Sequence, residues 1–292
     1  MINLKKEKKI GIISWFKTNS FVNYIYISNS LDELFFFLSK KPQHLFINIL
    51  GACSNTFFRD GGTFGVIIRL GSGFSYIKKN SLYIQIGCSI MSSKLCLYST
   101  NNCIYGLYFL KGIPGTIGGL LSMNAGCYGN DILNVIHSVK ALHCHTFQVK
   151  SFFIQELLSY RSKKISSNWI FFETVFITRS GIKHHIYNQV IFVNKLRLFN
   201  QPKNIKNSGS TFKNIFYLKV WKILKQSKIL RFIIGGGAMF SIVQPNFLVN
   251  RSRCSSLDIE NLVLLVKYIT EKKFAIKINR ELKILGNYKH GI

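Results

Sequence analysis

Between Gly112 and Gly119 the chain places four glycines within eight residues, as Gly112-Ile113-Pro114-Gly115-Thr116-Ile117-Gly118-Gly119. Such a segment suits neither the middle of a long helix nor a strand; it supplies positive φ and lets backbone come close to backbone or to a ligand. Met123-Asn124-Ala125-Gly126 follows at once, so Gly112 to Gly129 reads as one glycine-rich loop region. The GxGxxG dinucleotide spacing, with its strand–turn–helix setting, is missing. Two readings stay open for the segment: ligand binding through its backbone, and a connection that serves packing alone. Gly112–Asn130 and Phe232–Asn250 are uncharged and near bilayer-spanning length. Their glycine clusters, prolines and amide side chains suit turns and loops, not lipid-facing helices.

The chain has 292 residues, 48% of them hydrophobic and 17% charged, which is enough to bury real cores and excludes a disordered tail. Lys and Arg number 39 against 11 Asp and Glu, a net charge of +28. An excess of that size raises nucleic acid or an anionic membrane as partner. The basic residues are scattered in pairs, however, as at Lys40-Lys41, Lys78-Lys79, Lys163-Lys164 and Lys272-Lys273, and only Lys5 to Lys9 resembles a basic arm. The excess therefore reads as compositional drift and not as a nucleic-acid face. The seven cysteines are odd in number and form no CxxC pair, which fits reduced thiols in a cytoplasmic protein. His143-Cys144-His145 places two ligand-type residues on one strand face, but no second pair has matching spacing, so no metal site is expected. The apolar run Gly11–Phe16 is too short for a signal-peptide core.

Ser30-Leu31-Asp32-Glu33 is a capping box that predicts a helix through about Lys40. Leu45–Leu50, Val66–Leu70 and Tyr83–Ile86 read as strands, and Ile90–Tyr98 as a helix. Val139–Val149 and Trp169–Thr178 have strand composition. The polar segment Leu198–Ser210, with Pro202 and Gly209, breaks the pattern and suggests a domain boundary. Beyond it, Phe216–Ser227 and Leu257–Lys272 read as helices, the second entered through Ser255-Ser256, and Ile276–Leu285 as a closing strand. The class is α+β.

Five segments carry the chemistry. In Gly51-Ala52-Cys53-Ser54-Asn55, small residues let successive amides approach a phosphate, although, taken alone, a plain turn is the better reading. Ile113–Gly119 with Asn124-Ala125-Gly126 is the second. In Tyr160-Arg161-Ser162 the arginine fork can grip a carboxylate. Gly209-Ser210-Thr211-Phe212-Lys213-Asn214 offers a hydroxyl beside a cation and an amide. Glu281 stands alone near the end. Each taken singly is compatible with an ordinary surface feature.

In this order the five segments resemble the UDP-N-acetylenolpyruvoylglucosamine reductase family. The family's small-residue loop resembles Gly51–Asn55, followed by Arg-Asp-Gly-Gly at Arg59–Gly62. Its Ile-Pro-Gly-Thr-x-Gly-Gly stands at Ile113–Gly119 and its Met-Asn-Ala-Gly-x-Tyr-Gly at Met123–Gly129. Its Tyr-Arg-x-Ser is similar to Tyr160-Arg161-Ser162-Lys163, with the final serine shifted. Its Gly-Ser-x-Phe-Lys-Asn stands at Gly209–Asn214, Gly-Gly-Ala at Gly236–Ala238, Asn-Phe-x-x-Asn at Asn246–Asn250 and Glu-x-x-x-x-Gly at Glu281–Gly286. The likeness runs from about Trp15 to Gly286. Departures fall at Asn19-Ser20-Phe21-Val22 (where the family has Gly-Gly-Pro-Ala), at Cys53 (a glycine in the family), at Ile215 (a proline) and at Gln244 (a histidine in many relatives).

The resemblance implies an FAD-binding module of two subdomains, of the PCMH or vanillyl-alcohol-oxidase type, over residues 1–70 and 71–197, and an α+β substrate domain over 198–292. It implies FAD as cofactor and NADPH as reductant. The small-molecule partner would be a UDP-sugar enolpyruvyl ether, in a cytoplasmic enzyme without a membrane span and with no nucleic acid. Arg161, Ser210 and Glu281 would be catalytic, with Ser210 as the acid and Glu281 as a protonated donor. Gly51, Ala52, Cys53, Ser54, Asn55, Ile113, Pro114, Gly115, Thr116, Gly118, Gly119, Asn124, Ala125 and Gly126 would bind FAD. Tyr160, Lys213, Asn214 and Gln244 would bind substrate. Two alternatives remain at this stage: a related FAD oxidoreductase with another substrate, and a drifted basic nucleic-acid-binding protein without catalysis.

Overall fold

The structure, a computed structural model, describes residues 4–11, 14–161, 168–203, 205–215, 218–252 and 254–289; of residues 7 and 158–161 it describes the backbone alone. Strands β1 (Leu4–Lys9) and β2 (Phe21–Ser28) lead into helix α1 (Leu31–Lys40), then β3 (Ile47–Ile49), β4 (Thr56–Phe58), β5 (Thr63–Leu70), β6 (Ile77–Lys79) and β7 (Tyr83–Gly87). Helices α2 (Ser92–Asn101) and α3 (Ile117–Met123) precede the short strands β8 (Gly126–Cys127) and β9 (Asn130–Asp131). Next come β10 (Ile136–His143), β11 (Val149–Phe153), α4 (Ile154–Arg161), β12 (Trp169–Ile177) and α5 (Lys183–Asn200). The chain ends with β13 (Lys206–Ser210), α6 (Val220–Gln226), β14 (Ile233–Ile234), β15 (Ala238–Phe240), β16 (Phe247–Asn250), α7 (Ser256–Phe274) and β17 (Lys283–Leu285).

These elements fall into two compact units, each assembled from separated stretches: residues 1–5, 25–52 and 66–197 in the first, and 6–24, 53–65 and 198–292 in the second. The first unit is built on an antiparallel five-stranded sheet in the order β11-β10-β12-β7-β6. Its core includes Ile84, Ile86, Val139, Ala141, Phe171 and Phe176 from the strands and Leu95, Ile117 and Leu120 from α2 and α3. Alternation along β7 puts Ile84 and Ile86 inside. Elsewhere in this unit β3 pairs in parallel with β5, from Ile47↔Val66 to Ile49↔Ile68.

The second unit carries an antiparallel sheet in the order β13-β16-β15-β14, covered by α7, and the parallel pair β17-β4. Phe16, Phe57, Phe212, Phe240, Ile259, Leu262 and Val266 form its buried centre. Helix α7 begins with a full capping box: Ser255 Oγ accepts from the Asp258 amide at 3.1 Å and the Asp258 carboxylate accepts from the Ser255 amide at 2.9 Å. At α1 the exchange is displaced by one residue. Ser30 Oγ caps the Glu33 amide (3.1 Å), but the Glu33 carboxylate reaches back to the amide of Asn29 (2.8 Å).

Several expectations need correction. The glycine-rich region contains a real helix, α3, because Thr116 caps it and Leu120 and Leu121 are drawn into the core. The polar break before Ser210 includes strand β13, held by its pairing with β16 from Lys206↔Asn250 to Ser210↔Phe247. Glu281 is not on a strand: apart from the isolated bridge of Arg280 to Phe212, residues 276–282 are irregular, and the strand is Lys283–Leu285. The helix read from Ile90 begins at Ser92, and the one read from Phe216 is assigned from Val220, with 216–217 outside the described residues.

Candidate functional site

In the first unit the predicted cofactor residues converge where β3 ends. Gly51 lies against Thr116, and a Cβ on Gly51 would clash with Thr116 Oγ1 unless that side chain moved. That hydroxyl accepts from the Gly119 amide at 3.3 Å and caps α3. Backbone hydrogen bonds stitch the loop to residues 88–92: Gly118 N to Cys88 O (2.9 Å), Ile117 N to Ile90 O (2.9 Å) and Ser92 N to Gly115 O (2.9 Å). Ser92 Oγ adds a bond to the carbonyl of Ile113. Gly118 packs so closely on Cys88 that a Cβ there would sit 3.2 Å from it. Helix α3 ends on Asn124 in the left-handed region (φ 42°), whose side-chain oxygen accepts from Leu133 N at 3.4 Å. Its Nδ2 is buried and has no partner among the described residues. Ala125 and Gly126 follow at the start of the β8–β9 hairpin, where a Cβ on Gly126 would meet the carbonyl of Asn130 at 2.5 Å. An orphaned buried amide on a loop of this build is what a bound cofactor with acceptor groups satisfies.

Cys53 begins the second unit's share of the loop. It is buried and holds φ at 55°, a conformation that strains a residue with a Cβ. The glycine the family carries here is therefore a backbone requirement, and this chain meets the same turn with cysteine. Two residues on, Asn55 is held on both sides of Glu281: its Nδ2 donates to the Glu281 carbonyl (3.3 Å), and its own carbonyl accepts from Lys283 N (3.1 Å). Asn55 Oδ1 is buried without a partner among the described residues. From this point β4 and β17 run parallel, Thr56↔Lys283 to Phe58↔Leu285.

Ser210 closes β13, just after Gly209 at φ 75°. Glu281 N donates to Thr211 O at 2.8 Å and Lys213 N to Asn279 O at 2.8 Å, with Phe212 bridged to Arg280. Residues 211–213 thus lie alongside 279–282, which brings Lys213 and Glu281 together, and Ser210 stands one residue before this segment although 71 positions separate it from Glu281 in sequence. Burial raises the Glu281 carboxyl above the usual glutamate range, opposed by the positive charge of Lys213. The group is therefore biased toward its protonated, hydrogen-bond-donating form. Asn214 uses its Oδ1 to accept from Val220 N at the start of α6 (3.1 Å). Gln244 sits in the turn between β15 and β16, with its amide on Ser241 Oγ and its carbonyl accepting from Phe247 N. Tyr160 and Arg161 end α4, but their side chains, and all of Ser162, lie outside the described residues.

Sequence reasoning assigned no role to Asn246, yet it holds the Ser210 segment. Buried to 6% exposure, it accepts from Phe212 N (3.0 Å) and donates to Phe212 O (2.8 Å). Asn250 repeats the device, donating to Phe16 O (2.9 Å) and accepting from Cys254 N (3.2 Å). The Asn-Phe-x-x-Asn spacing was the available signal. Arg59 and Asp60 also gain a function: Arg59 makes a two-point ion pair with Glu260 (2.7 and 2.8 Å), and Asp60 exchanges two hydrogen bonds with Ser256.

A glycine-fixed loop with a capped short helix, in one chain with a lobe that carries a serine next to the segment paired with a desolvated glutamate, fits the class of two-part flavin oxidoreductases. The comparisons narrow it. Residues 40–146 match the FAD binding domain family, and residues 201–285 match the C-terminal domain of UDP-N-acetylenolpyruvoylglucosamine reductase. The reductase of Wolbachia pipientis wMel is 33% identical over 277 residues, covering 94% of this chain and 93% of its own. That of Orientia tsutsugamushi (strain Ikeda) is 33% identical over 290 residues, 97% of this chain and 94% of its own. The solved structure of the reductase from Thermus caldophilus superposes with a TM-score of 0.84 at 20% identity, covering 98% of this chain and all of that one, a likeness of fold. The chain belongs to the UDP-N-acetylenolpyruvoylglucosamine reductase family.

Proposed function

We infer that this protein reduces UDP-N-acetylglucosamine enolpyruvate to UDP-N-acetylmuramate with FAD as cofactor and NADPH as reductant, in the synthesis of peptidoglycan precursors. The observation that supports the reading is the alignment of residues 211–213 with 279–282, next to which Ser210 would act together with Glu281, in a chain of this family. Residues 1–70 and 71–197 would form the two FAD-binding subdomains and 198–292 the substrate domain. Gly51–Asn55, Ile113–Gly119 and Asn124–Gly126 would hold FAD; the close packing at Gly51 and Gly118 and the orphaned amide groups of Asn124 and Asn55 support that role. The chemistry FAD supplies when bound is hydride transfer, from NADPH and then to C3 of the enolpyruvyl group.

Ser210 Oγ would deliver a proton to C2. An alcohol is a weak acid, so the transfer needs a carbanion-like centre close by and a neighbouring cation, here Lys213, to support the serine as it loses the proton. Glu281, its carboxyl raised by burial, would in its protonated form donate a hydrogen bond to the substrate carboxylate, where an ionised carboxylate would repel it. Arg161 would balance the growing carboxylate charge as a permanent cation. Tyr160, Gln244 and Asn214 would position the sugar nucleotide, Asn214 through Nδ2 because Oδ1 is engaged at α6.

No helix among the described residues is long and apolar enough to cross a membrane. The enzyme would work in the cytoplasm on small molecules, with its scattered lysines needing no nucleic acid to explain them. The test is anaerobic: reduce the flavin-loaded protein with NADPH, add the enolpyruvyl sugar nucleotide and follow the visible flavin spectrum. Prompt reoxidation is the expected result. Reduction without reoxidation would overturn the substrate assignment.

A further inference from the structure

We propose that the second unit carries an additional binding site, for a nucleotide, at the end of β4 and β17 remote from Asn55 and Glu281. A cavity of about 790 Å³ opens there, and every residue lining it belongs to this unit. Asp60 and Tyr288, which line it, follow the last residues of the two strands, while Asn55 and Glu281 precede the first. At about 3.3 Å per residue the strands put the cavity roughly 15 Å from the Ser210–Glu281 site. None of the residues used in the reaction lines it.

The lining is charged in one sense. Lys17, Lys206 and Lys289 contribute ammonium groups against a single carboxylate, Asp60. That carboxylate already accepts from the Ser256 amide at 2.6 Å, and the rest of the α7 terminus is closed by its capping box, so the lysines and not the helix amides would draw an anion. Lys206 Nζ is fixed on the Ser252 carbonyl at 3.1 Å. Lys17 sits in the left-handed region (φ 52°) at the turn closed by its amide on Ser14 O (3.1 Å), a strained way to present a lysine. Thr18, 3% exposed, also lines the wall, and its hydroxyl has no partner among the described residues. Three cations against one carboxylate suit a phosphate ester, which carries about two negative charges at neutral pH.

The aromatic lining extends the ligand beyond phosphate. Phe21 and Tyr288 both face the cavity and are 45% and 49% exposed. Arg59 covers one face of the Tyr288 ring at 4.3 Å and holds it in place. Half-exposed rings beside a phosphate-binding group of lysines provide the stacking surface a nucleobase takes.

The experiment is calorimetric titration of the flavin-loaded full chain with AMP and, separately, with inorganic phosphate. AMP is expected to bind saturably, and Lys17→Gln/Lys289→Gln, both at exposed positions, to weaken it about tenfold or more, the effect of losing charged hydrogen bonds. Phe21→Ala should weaken AMP and leave inorganic phosphate unchanged. Thr18→Val, close in shape, should weaken both. Absence of saturable AMP binding at millimolar concentration overturns the site. Binding lost in Lys213→Ala but retained in the double lysine variant would locate AMP at the substrate centre and overturn it too. Phosphate binding as tightly as AMP, indifferent to Phe21, overturns the assignment to a nucleotide.

Discussion

The loop around Gly51 and the segment around Ser210 solve the same problem, holding backbone in one place, by opposite means. Around Gly51 side chains are removed: glycine at 51 and 118 lets the loop close on Thr116 and Cys88 with no Cβ between. Around Ser210 side chains are added: Asn246 and Asn55 spend buried amides to fix the strand ends that present Ser210 and Glu281. In the proposed role the first arrangement would leave backbone amides and small polar groups facing FAD. The second leaves a hydroxyl, an ammonium group and a carboxyl that burial biases toward protonation. Changes in the first region are therefore felt as steric strain, and in the second as lost polarity.

That contrast can be broken or sharpened by mutation. The largest effect is expected at Ser210→Ala, which should cut substrate-dependent flavin reoxidation by about 10²–10⁴, the usual worth of general acid catalysis, with flavin still bound. Asn246→Ala should come next, destabilising by about 2–4 kcal/mol in denaturant melts because two bonds to Phe212 are lost in a buried setting. Gly51→Ala should cost about 1–3 kcal/mol and release flavin, and Thr116→Ala in the same chain should recover part of the loss by removing the obstructing hydroxyl. If Gly51→Ala were silent, the steric account of the first region would fail. The smallest effect is a pair: Cys53→Gly should be more stable than Cys53→Ala by about 1 kcal/mol, since both remove the thiol but only glycine relieves the left-handed backbone.

The pH dependence separates the regions as well. With the Glu281 carboxyl raised in the folded state, the native protein binds more protons than the unfolded chain between about pH 4.3 and the raised value. Stability contributed by this group therefore falls as pH climbs through that window and is level above it. Turnover should fall on the alkaline side as the carboxyl ionises. Glu281→Gln should flatten the stability slope, and Gly51→Ala should leave it intact; melts from pH 4 to 9 decide.

Much of this was legible in the residues. Ser30 and Ser255 announced α1 and α7 because a capping hydroxyl acts locally, within three residues. The glycines from 112 to 119 announced a close-packed loop, but not α3, since seven residues with two glycines carry almost no helical signal of their own. Helix α5 went unforeseen: apolar residues fall on all its sides, Ile186 and Val193 buried while Phe192 and Phe199 are exposed, so no period stands out. Strand β13 reads as a polar break because its stabilisation comes from β16, some 40 positions away. The site residues were legible as motifs, while their physical support was not. Nothing in the sequence joined Asn246 to Phe212 or Arg59 to Glu260, since those contacts exist only once distant strands meet.

The parallel pair β4–β17 has a consequence for how the molecule comes into being. Asn55 and Glu281, bonded to one another, are separated by 226 positions. On a ribosome adding about 5–20 residues per second, the segment from Cys53 to Gly65 emerges many seconds before the strand it must join. The first unit can condense from residues already released, whereas the second has to wait for the residues around Glu281 and β17. Its early strands must stay soluble meanwhile, and a chain cut short before residue 281 would carry one finished unit and a second without its parallel partner strand.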